Sequence, residues 1–273
     1  MTQQSKILAG KRGLIVGVAN DRSIAWGIAE RLAREGAELA LTYQGEAFAK
    51  RVLPLGEQIG AALILPCDAE DPASLDHLFA EIKDAWGGLD FLVHSIAYSD
   101  KDELKGRFVD TTAANFRRTM HISCFSFTDM ARRARPLMTE KGGSLITMSY
   151  LGAERVIPAY NVMGVAKAAL ETSVKYLAAD LGPDSIRVNA ISAGPMRTLA
   201  GSAIGAARQI YKRSEANAPL RRSVTLEQIG GAALYLLSDL SGGVTGEVHH
   251  VDSGYNVVGL AHLAGEPGQS GSG

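Results

Sequence analysis

In Gly13-Leu14-Ile15-Val16-Gly17-Val18-Ala19-Asn20-Asp21-Arg22-Ser23-Ile24, an apolar run leads through a polar turn into the start of an amphipathic segment. We predict a strand over 13–18 and a helix over 24–35, in which Ile28 and Leu32 share one apolar stripe. A second apolar run follows over 38–43. Strand, turn, helix and strand in this order are typical of a parallel sheet covered by helices on both faces.

The same unit recurs along the chain. Further strands are predicted over 62–66, 90–95, 143–149, 186–191 and 247–251, and further helices over 74–86, 113–139 and 226–238. Seven strands with right-handed crossovers predict one α/β domain, a doubly wound parallel seven-stranded sheet of the Rossmann-like kind. We expect this single domain to span residues 1–260, and a flexible tail over 261–273, whose Gly, Ser and Pro cannot bury a core.

Composition excludes several classes of function. The 273 residues carry a net charge of -1, which provides no field for nucleic acid or anionic lipid, and no uncharged apolar stretch approaches the ~20 residues that cross a bilayer. Cys67 and Cys124 form no CxxC pair, which suits a reducing cytoplasm. The six histidines show no ligand spacing, so no metal site is predicted.

A nucleotide site is predicted at the carboxyl ends of the strands, where doubly wound sheets bind ligands. After the first strand, Gly17 allows a pyrophosphate to approach, and Ser23 with the free amides of the helix start can hold its oxygens. The alternative is an ordinary strand-to-helix turn in which Ser23 is only the N-cap. The turn is not a GxGxxG match, so both interpretations stand on these residues alone.

Two later positions favour a nucleotide site over an ordinary turn. Gln44 ends the second strand, where dinucleotide folds place the residue that faces the adenosine ribose, and no arginine follows directly to meet a 2′-phosphate. NADH is therefore favoured over NADPH, although Lys50 and Arg51 lie further along. Asp68, after the third strand, can accept the adenine amino group, or it can cap a turn.

Tyr160 and Lys167 are the main candidates for chemistry. We predict a helix from Pro158, a residue suited to the first helical position, to about Leu181; seven helical positions bring both side chains to one face. A phenol is a proton donor at neutral pH, and a nearby ammonium lowers its pKa. The alternative is an amphipathic helix in which the tyrosine packs and the lysine is solvated. Tyr150, ten residues before Tyr160, joins the candidates.

With these positions together, the sequence resembles the short-chain dehydrogenases/reductases, and within them the bacterial NADH-dependent enoyl-[acyl-carrier-protein] reductases. The resemblance covers residues 7–258. Two features carry it: six residues separate Tyr160 from Lys167, and Ser23-Ile24-Ala25 replaces the usual glycines of the nucleotide turn.

The resemblance implies NADH-dependent reduction of trans-2-enoyl thioesters on acyl carrier protein in fatty acid synthesis, by hydride addition to the β-carbon. It implies Tyr150, Tyr160 and Lys167 as catalytic residues, Ser99 beside the acyl thioester, and a homotetramer. The implied cofactor contacts are Gly17, Ser23, Ile24, Gln44, Asp68, Ala69, Ile96, Lys167, Met196, Arg197, Thr198, Leu199 and Ala200. Rival interpretations are a carbonyl/alcohol oxidoreductase of the same superfamily and a non-catalytic module that senses NAD.

Residues 193–215 follow a predicted strand and begin with many small residues, which favours a substrate lid over a plain surface loop. Beyond its start lies a basic cluster, which either docks an acidic carrier protein or forms a solvated charged face. Its members are Arg208, Lys212, Arg213, Arg221 and Arg222.

Overall fold

The computed structural model describes residues 6–138, 141–198 and 207–260. Its seven strands are β1 (Arg12–Val16), β2 (Glu38–Tyr43), β3 (Leu63–Pro66), β4 (Phe91–His94), β5 (Gly143–Ser149), β6 (Ile186–Ala193) and β7 (Val248–Val251). They form one sheet in the order β3-β2-β1-β4-β5-β6-β7, and every neighbouring pair is parallel. The predicted fold class is confirmed, and the strand order reverses between β1 and β4.

Helices cover both faces of this sheet. They are α1 (Ile24–Arg34), α2 (Gly45–Ile59), α3 (Pro72–Trp86), α4 (Lys101–Lys105), α5 (Ala113–Met120), a π-helix (His121–Phe125), α6 (Ser126–Met138), α7 (Val162–Leu181), α8 (Ala207–Asn217) and α9 (Leu226–Leu237). Short 3₁₀ turns add Phe108–Asp110, Leu151–Ala153, Gly182–Asp184, Asp239–Ser241 and Tyr255–Val257.

Two apolar clusters lie on opposite faces of the sheet. Successive residues of β1 alternate between them: Leu14 and Val16 pack with α3, α6 and α7, whereas Ile15 packs with α1 and α9. Ile28 and Leu32, the predicted stripe of α1, are fully buried in the second cluster. The twofold period of a strand between two layers of helices explains this arrangement.

The predicted helix over 113–139 is interrupted. It consists of α5, the π-helix and α6, and its last predicted residue, Thr139, lies outside the described residues. Pro136 is tolerated near the end of α6. Helix α3 begins two residues before its predicted start, because Asp71 accepts from Ala73 N at 3.0 Å as the N-cap and Pro72 takes the first helical position.

The predicted start of α7 is wrong. Pro158 does not open the helix, which begins at Val162, and Tyr160 lies in the turn that precedes it. Ala159 and Asn161 flank Tyr160 with φ of 58° and 40°, outside the helical region. Helical spacing therefore does not bring Tyr160 and Lys167 together.

Within the described ranges, no helix is long and apolar enough to cross a membrane. The same part of the chain holds no group of three or more His, Cys, Asp or Glu side chains arranged for a metal ion. Cys67 and Cys124 are buried free thiols. The expected tail over 261–273 lies outside the described residues.

Candidate active site

Parallel strands place the predicted site residues at one edge of the sheet. Their carboxyl ends share that edge, and one candidate follows each of the first six strands in turn: Gly17, Gln44, Asp68, Ile96, Tyr150 and Met196. The edge includes the reversal between β1 and β4, where doubly wound sheets bind their ligands.

Gly17 shows why the turn after β1 needs glycine. Its φ is 109°, and a Cβ there would lie 2.1 Å from Ser95 O and 3.0 Å from Ile96 Cγ2. The segments that follow β1 and β4 are therefore in contact at the reversal of strand order. A side chain at position 17 would force these two segments apart.

Ser23 is the N-cap of α1. Its hydroxyl donates to Asn20 O at 2.8 Å and accepts from Trp26 N at 3.3 Å. The N-cap interpretation of Ser23 is confirmed, and its contact with a pyrophosphate stays a prediction. Ile24, the first residue of α1, is partly buried against the second apolar cluster.

The adenosine end contains Gln44 and Asp68. Gln44 is exposed at the start of α2, and its side chain makes no capping bond to the described residues of that helix. Asp68 Oδ1 accepts from Glu70 N at 2.9 Å, so the turn-cap interpretation is confirmed and its contact with adenine stays a prediction. Ala69 and Ile96 are partly buried and pack on the first cluster.

Tyr150 and Tyr160 form an aromatic pair beyond β5. Their ring centroids are 5.2 Å apart with the planes at 76°, an edge-to-face arrangement. Tyr160 is 8% exposed, and a Cβ on Gly152 would lie 2.4 Å from its ring. Both phenols are thus fixed by packing at the carboxyl end of β5.

Burial raises the pKa of Tyr160, with smaller contributions from Tyr150 and the Glu171 charge. The predicted lowering by Lys167 is wrong for this structure, because removal of the phenol from water outweighs any stabilisation of its anion. Burial also raises the pKa of Tyr150 to about 12. Both phenols therefore stay protonated at neutral pH, as hydrogen-bond donors must.

Lys167 lies inside the protein, with 5% of its surface exposed. Its Nζ donates to Met148 O at 2.7 Å. Burial lowers its pKa to about 8, against smaller raising effects of Cys124 and Glu171. The alternative of a solvated lysine is wrong: the ammonium is held beside the carboxyl end of β5.

Two residues near this site were not predicted. Glu171, one helical turn after Lys167, accepts from Ser149 Oγ, and burial raises its pKa. The i, i+4 spacing from Lys167 was a usable signal for Glu171. His94 is fully buried between Thr147 Oγ1 and Ser126 Oγ, each at 2.8 Å, and burial lowers its pKa to about 3. No local pattern indicates those contacts, because they join separate elements.

Ser99 and the segment after β6 complete the set. Ser99 is buried, with Asn115 Oδ1 at 3.4 Å from its hydroxyl. Met196 and Thr198 are partly buried, Arg197 is exposed, and Thr198 N donates to Met196 O at 2.8 Å. Leu199 and Ala200, with 201–206 of the predicted lid, lie outside the described residues.

A doubly wound sheet, a glycine turn at its reversal and a buried tyrosine and lysine beyond β5 define an oxidoreductase of the short-chain dehydrogenase/reductase class. Residues 17–256 match the family profile described as Enoyl-(Acyl carrier protein) reductase. The chain belongs to this family.

Individual relatives agree with this assignment. Enoyl-[acyl-carrier-protein] reductase [NADH] 2 of Rhizobium meliloti (strain 1021) is 62% identical over 94% of this chain and 96% of its own. The crystal structure of the Anaplasma phagocytophilum reductase in complex with NAD matches with a TM-score of 0.91 at 56% identity, over 96% and 98% of the two chains. The crystal structure of the Bacillus cereus enoyl-acyl carrier protein reductase with NADP+ and indole naphthyridinone also matches with a TM-score of 0.91. The two sequences are 50% identical, and the match covers 93% of this chain and 100% of the other.

Proposed function

We propose that this enzyme reduces trans-2-enoyl thioesters carried by acyl carrier protein, with NADH as the reductant, in fatty acid synthesis. Family membership supports the reaction class. The observation that carries the catalytic assignment is the edge-to-face pair of the partly buried Tyr150 and the buried Tyr160 beyond β5, with the buried Lys167 of α7 bonded to Met148 O of that strand. The carbonyl/alcohol oxidoreductase and the non-catalytic module are the alternatives that the assay below separates.

The described residues fit a dinucleotide. Gly17 forms the turn at the reversal of strand order, the amides at the start of α1 can bind the pyrophosphate, and Lys167 can bind the nicotinamide ribose. Ser23, Ile24, Gln44, Asp68, Ala69, Ile96, Met196, Arg197, Thr198, Leu199 and Ala200 complete the proposed contacts. Bound NADH supplies the hydride that adds to the β-carbon.

Tyr160 acts on the other end of the conjugated system. As negative charge reaches the thioester oxygen, its protonated hydroxyl donates a hydrogen bond to that oxygen, a contribution of about 3–4 kcal/mol to the barrier for one such donor. Lys167 adds positive charge nearby. Tyr150 packs edge-on against Tyr160 and shapes the pocket, and Ser99 lies beside the acyl thioester.

Residues 193–215 close over the substrate. If they do, NADH together with a substrate analogue should protect this segment from limited proteolysis.

Turnover of a crotonyl thioester, followed by NADH absorbance, tests the reaction. Tyr160→Phe should lower kcat about 10²- to 10³-fold, because it removes one donor, and leave the Kd of NADH unchanged. Tyr235→Phe, which changes an exposed tyrosine of α9, is the matched control. Turnover of simple ketones but not of the thioester would favour the carbonyl oxidoreductase. NADH binding without any turnover would favour the sensing module.

The preference for NADH is part of the proposal. The exposed Gln44 can bind a ribose 2′-hydroxyl, and no arginine directly follows it. The same assay with NADPH should give a lower kcat/KM. An equal or higher value with NADPH would contradict the role of Gln44.

We also propose a cytoplasmic homotetramer. The free thiols Cys67 and Cys124 fit a reducing compartment. Phe125 and Tyr176 expose 50% and 73% of their surfaces on neighbouring helices, as interface residues of an isolated protomer do. Sedimentation equilibrium should give the mass of four 28.9 kDa chains. The mass of one chain would contradict the assembly.

A further inference from the structure

The turn that carries Tyr160 has an unusual backbone. Tyr160 N donates to Ile157 O at 3.2 Å, and Met163 N donates to Tyr160 O at 3.0 Å, so two consecutive turns share Tyr160. Ala159 and Asn161, on either side, have φ of 58° and 40°. Positive φ favours glycine, and other residues keep it only where surrounding contacts hold them.

The contacts that hold Asn161 come from its own side chain. Its Nδ2 donates to Glu103 O at 2.9 Å, to Leu104 O at 3.3 Å and to Gly106 O at 2.9 Å. These carbonyls lie at the end of α4, where a helix leaves C=O groups without partners of its own. One amide group therefore joins the Tyr160 turn to a segment more than 50 positions earlier in the chain.

Apolar packing reinforces this junction. Leu104, the buried residue of α4, packs in one small cluster with Tyr160, Met163 and Ala166. On another side the Tyr160 ring lies against Gly152, where there is no room for a Cβ. These contacts confine the Tyr160 ring. The position of its hydroxyl therefore depends on the backbone of the turn.

Helix α4 also connects the turn to the proposed substrate side. Its N-cap is Asp100, whose Oδ1 accepts from Asp102 N at 2.8 Å, and Asp100 directly follows Ser99. The Asn161 amide thus ties the proposed proton donor to the segment proposed to lie beside the acyl thioester.

We propose that Asn161 is a positioning residue for the reduction: its amide holds the strained turn against the end of α4 and so places the Tyr160 hydroxyl for the thioester oxygen. This inference rests on the proposed function, because it requires Tyr160 to be the donor. Displacement of a reacting group by about 1 Å is enough to lower a rate about 10²-fold.

Asn161→Gly tests the amide, because glycine accepts the positive φ and removes only the side chain. With a crotonyl thioester, kcat should fall about 10- to 100-fold, and the Kd of NADH should stay within about twofold. Ala159→Gly is the matched control: it relaxes the other positive φ and leaves the amide in place, so kcat should stay within about twofold.

A double-mutant cycle with Tyr160→Phe separates positioning from general disturbance. If Asn161 acts through the Tyr160 hydroxyl, Asn161→Gly has no further effect once that hydroxyl is gone. The same fold loss in both backgrounds, or an unchanged kcat in Asn161→Gly alone, would overturn the proposal. If circular dichroism shows that the glycine variant does not fold, Asn161→Asp makes the same comparison, since it keeps the side-chain shape and replaces the donors.

The cycle also distinguishes this inference from the proposed function. A normal kcat in Tyr160→Phe would remove the proposed donor and the positioning role together. A lowered kcat in Tyr160→Phe with a normal kcat in Asn161→Gly would overturn the positioning role alone.

Discussion

Lys167 is a buried side chain that carries a positive charge. Burial disfavours its charged form, and the bond to Met148 O and the charge of Glu171 offset only part of that cost. Its pKa of about 8 lies below the usual value of lysine, so the ammonium is present at neutral pH and is lost as the pH rises through about 8.

This pKa predicts an alkaline limb in the pH profile of kcat/KM for NADH, which reports ionisations of the free enzyme. Activity should fall above pH 8, because the Lys167 ammonium is then deprotonated and its positive charge is lost. Among the groups around it, burial raises the pKa values of Cys124, Tyr150, Tyr160 and Glu171, and lowers that of His94 to about 3.

Lys167→Arg is the control, because arginine stays charged up to about pH 12. This variant should have a lower kcat/KM, because a guanidinium differs in shape from an ammonium. The fall in kcat/KM near pH 8 should be absent from its pH profile. The same limb in Lys167→Arg would assign it to another group.

At the scale of elements, the start of α1 combines a structural and a proposed binding role. The Ser23 hydroxyl caps the helix and also braces the turn through Asn20 O. The free amides at this end are oriented toward the edge of the sheet that carries the other candidates. Thr225 caps α9 in the same way, within a capping box completed by Gln228.

Ser23→Ala and Thr225→Ala should each cost about 1 kcal/mol of unfolding free energy, since each removes one N-cap. Only Ser23→Ala should weaken NADH, by about five- to tenfold in Kd, the worth of one hydrogen bond. Urea unfolding and fluorescence titration measure the two quantities. Equal NADH affinity in both variants would mean that Ser23 acts only as the N-cap of α1.

At the scale of the whole molecule, charge is balanced overall and uneven locally. The chain has a net charge of -1, yet Arg208, Lys212 and Arg213 are exposed together on α8. Most of this helix belongs to the proposed lid segment, 193–215, so a negatively charged carrier that docks there would deliver its acyl group near the site.

Arg208→Glu tests that docking. It should lower kcat/KM about fivefold or more for substrate on acyl carrier protein, through a slower encounter, and leave the corresponding coenzyme A thioester unaffected. Lys83→Glu makes the same change of charge on α3 and should affect neither substrate. Unchanged activity of Arg208→Glu on the carrier-bound substrate would favour the alternative of a solvated charged face.

Local pattern was enough for the strands, for the bounds of α1 and α9 to within one residue, and for the edge of the sheet that holds the site. Apolar residues at periods of two and of about 3.6 mark elements that pack on one another, and parallel strands bring Gly17, Gln44, Asp68 and Tyr150 to one edge by geometry alone. Tertiary structure alone decided the state of the reacting groups. Tyr160 lies in a turn before α7 that Asn161 joins to carbonyls at the end of α4, and Lys167 is a buried side chain of α7 bonded to Met148 O of β5. Those contacts join residues far apart in the chain, and desolvation depends on everything that surrounds a group, which no spacing along the sequence records.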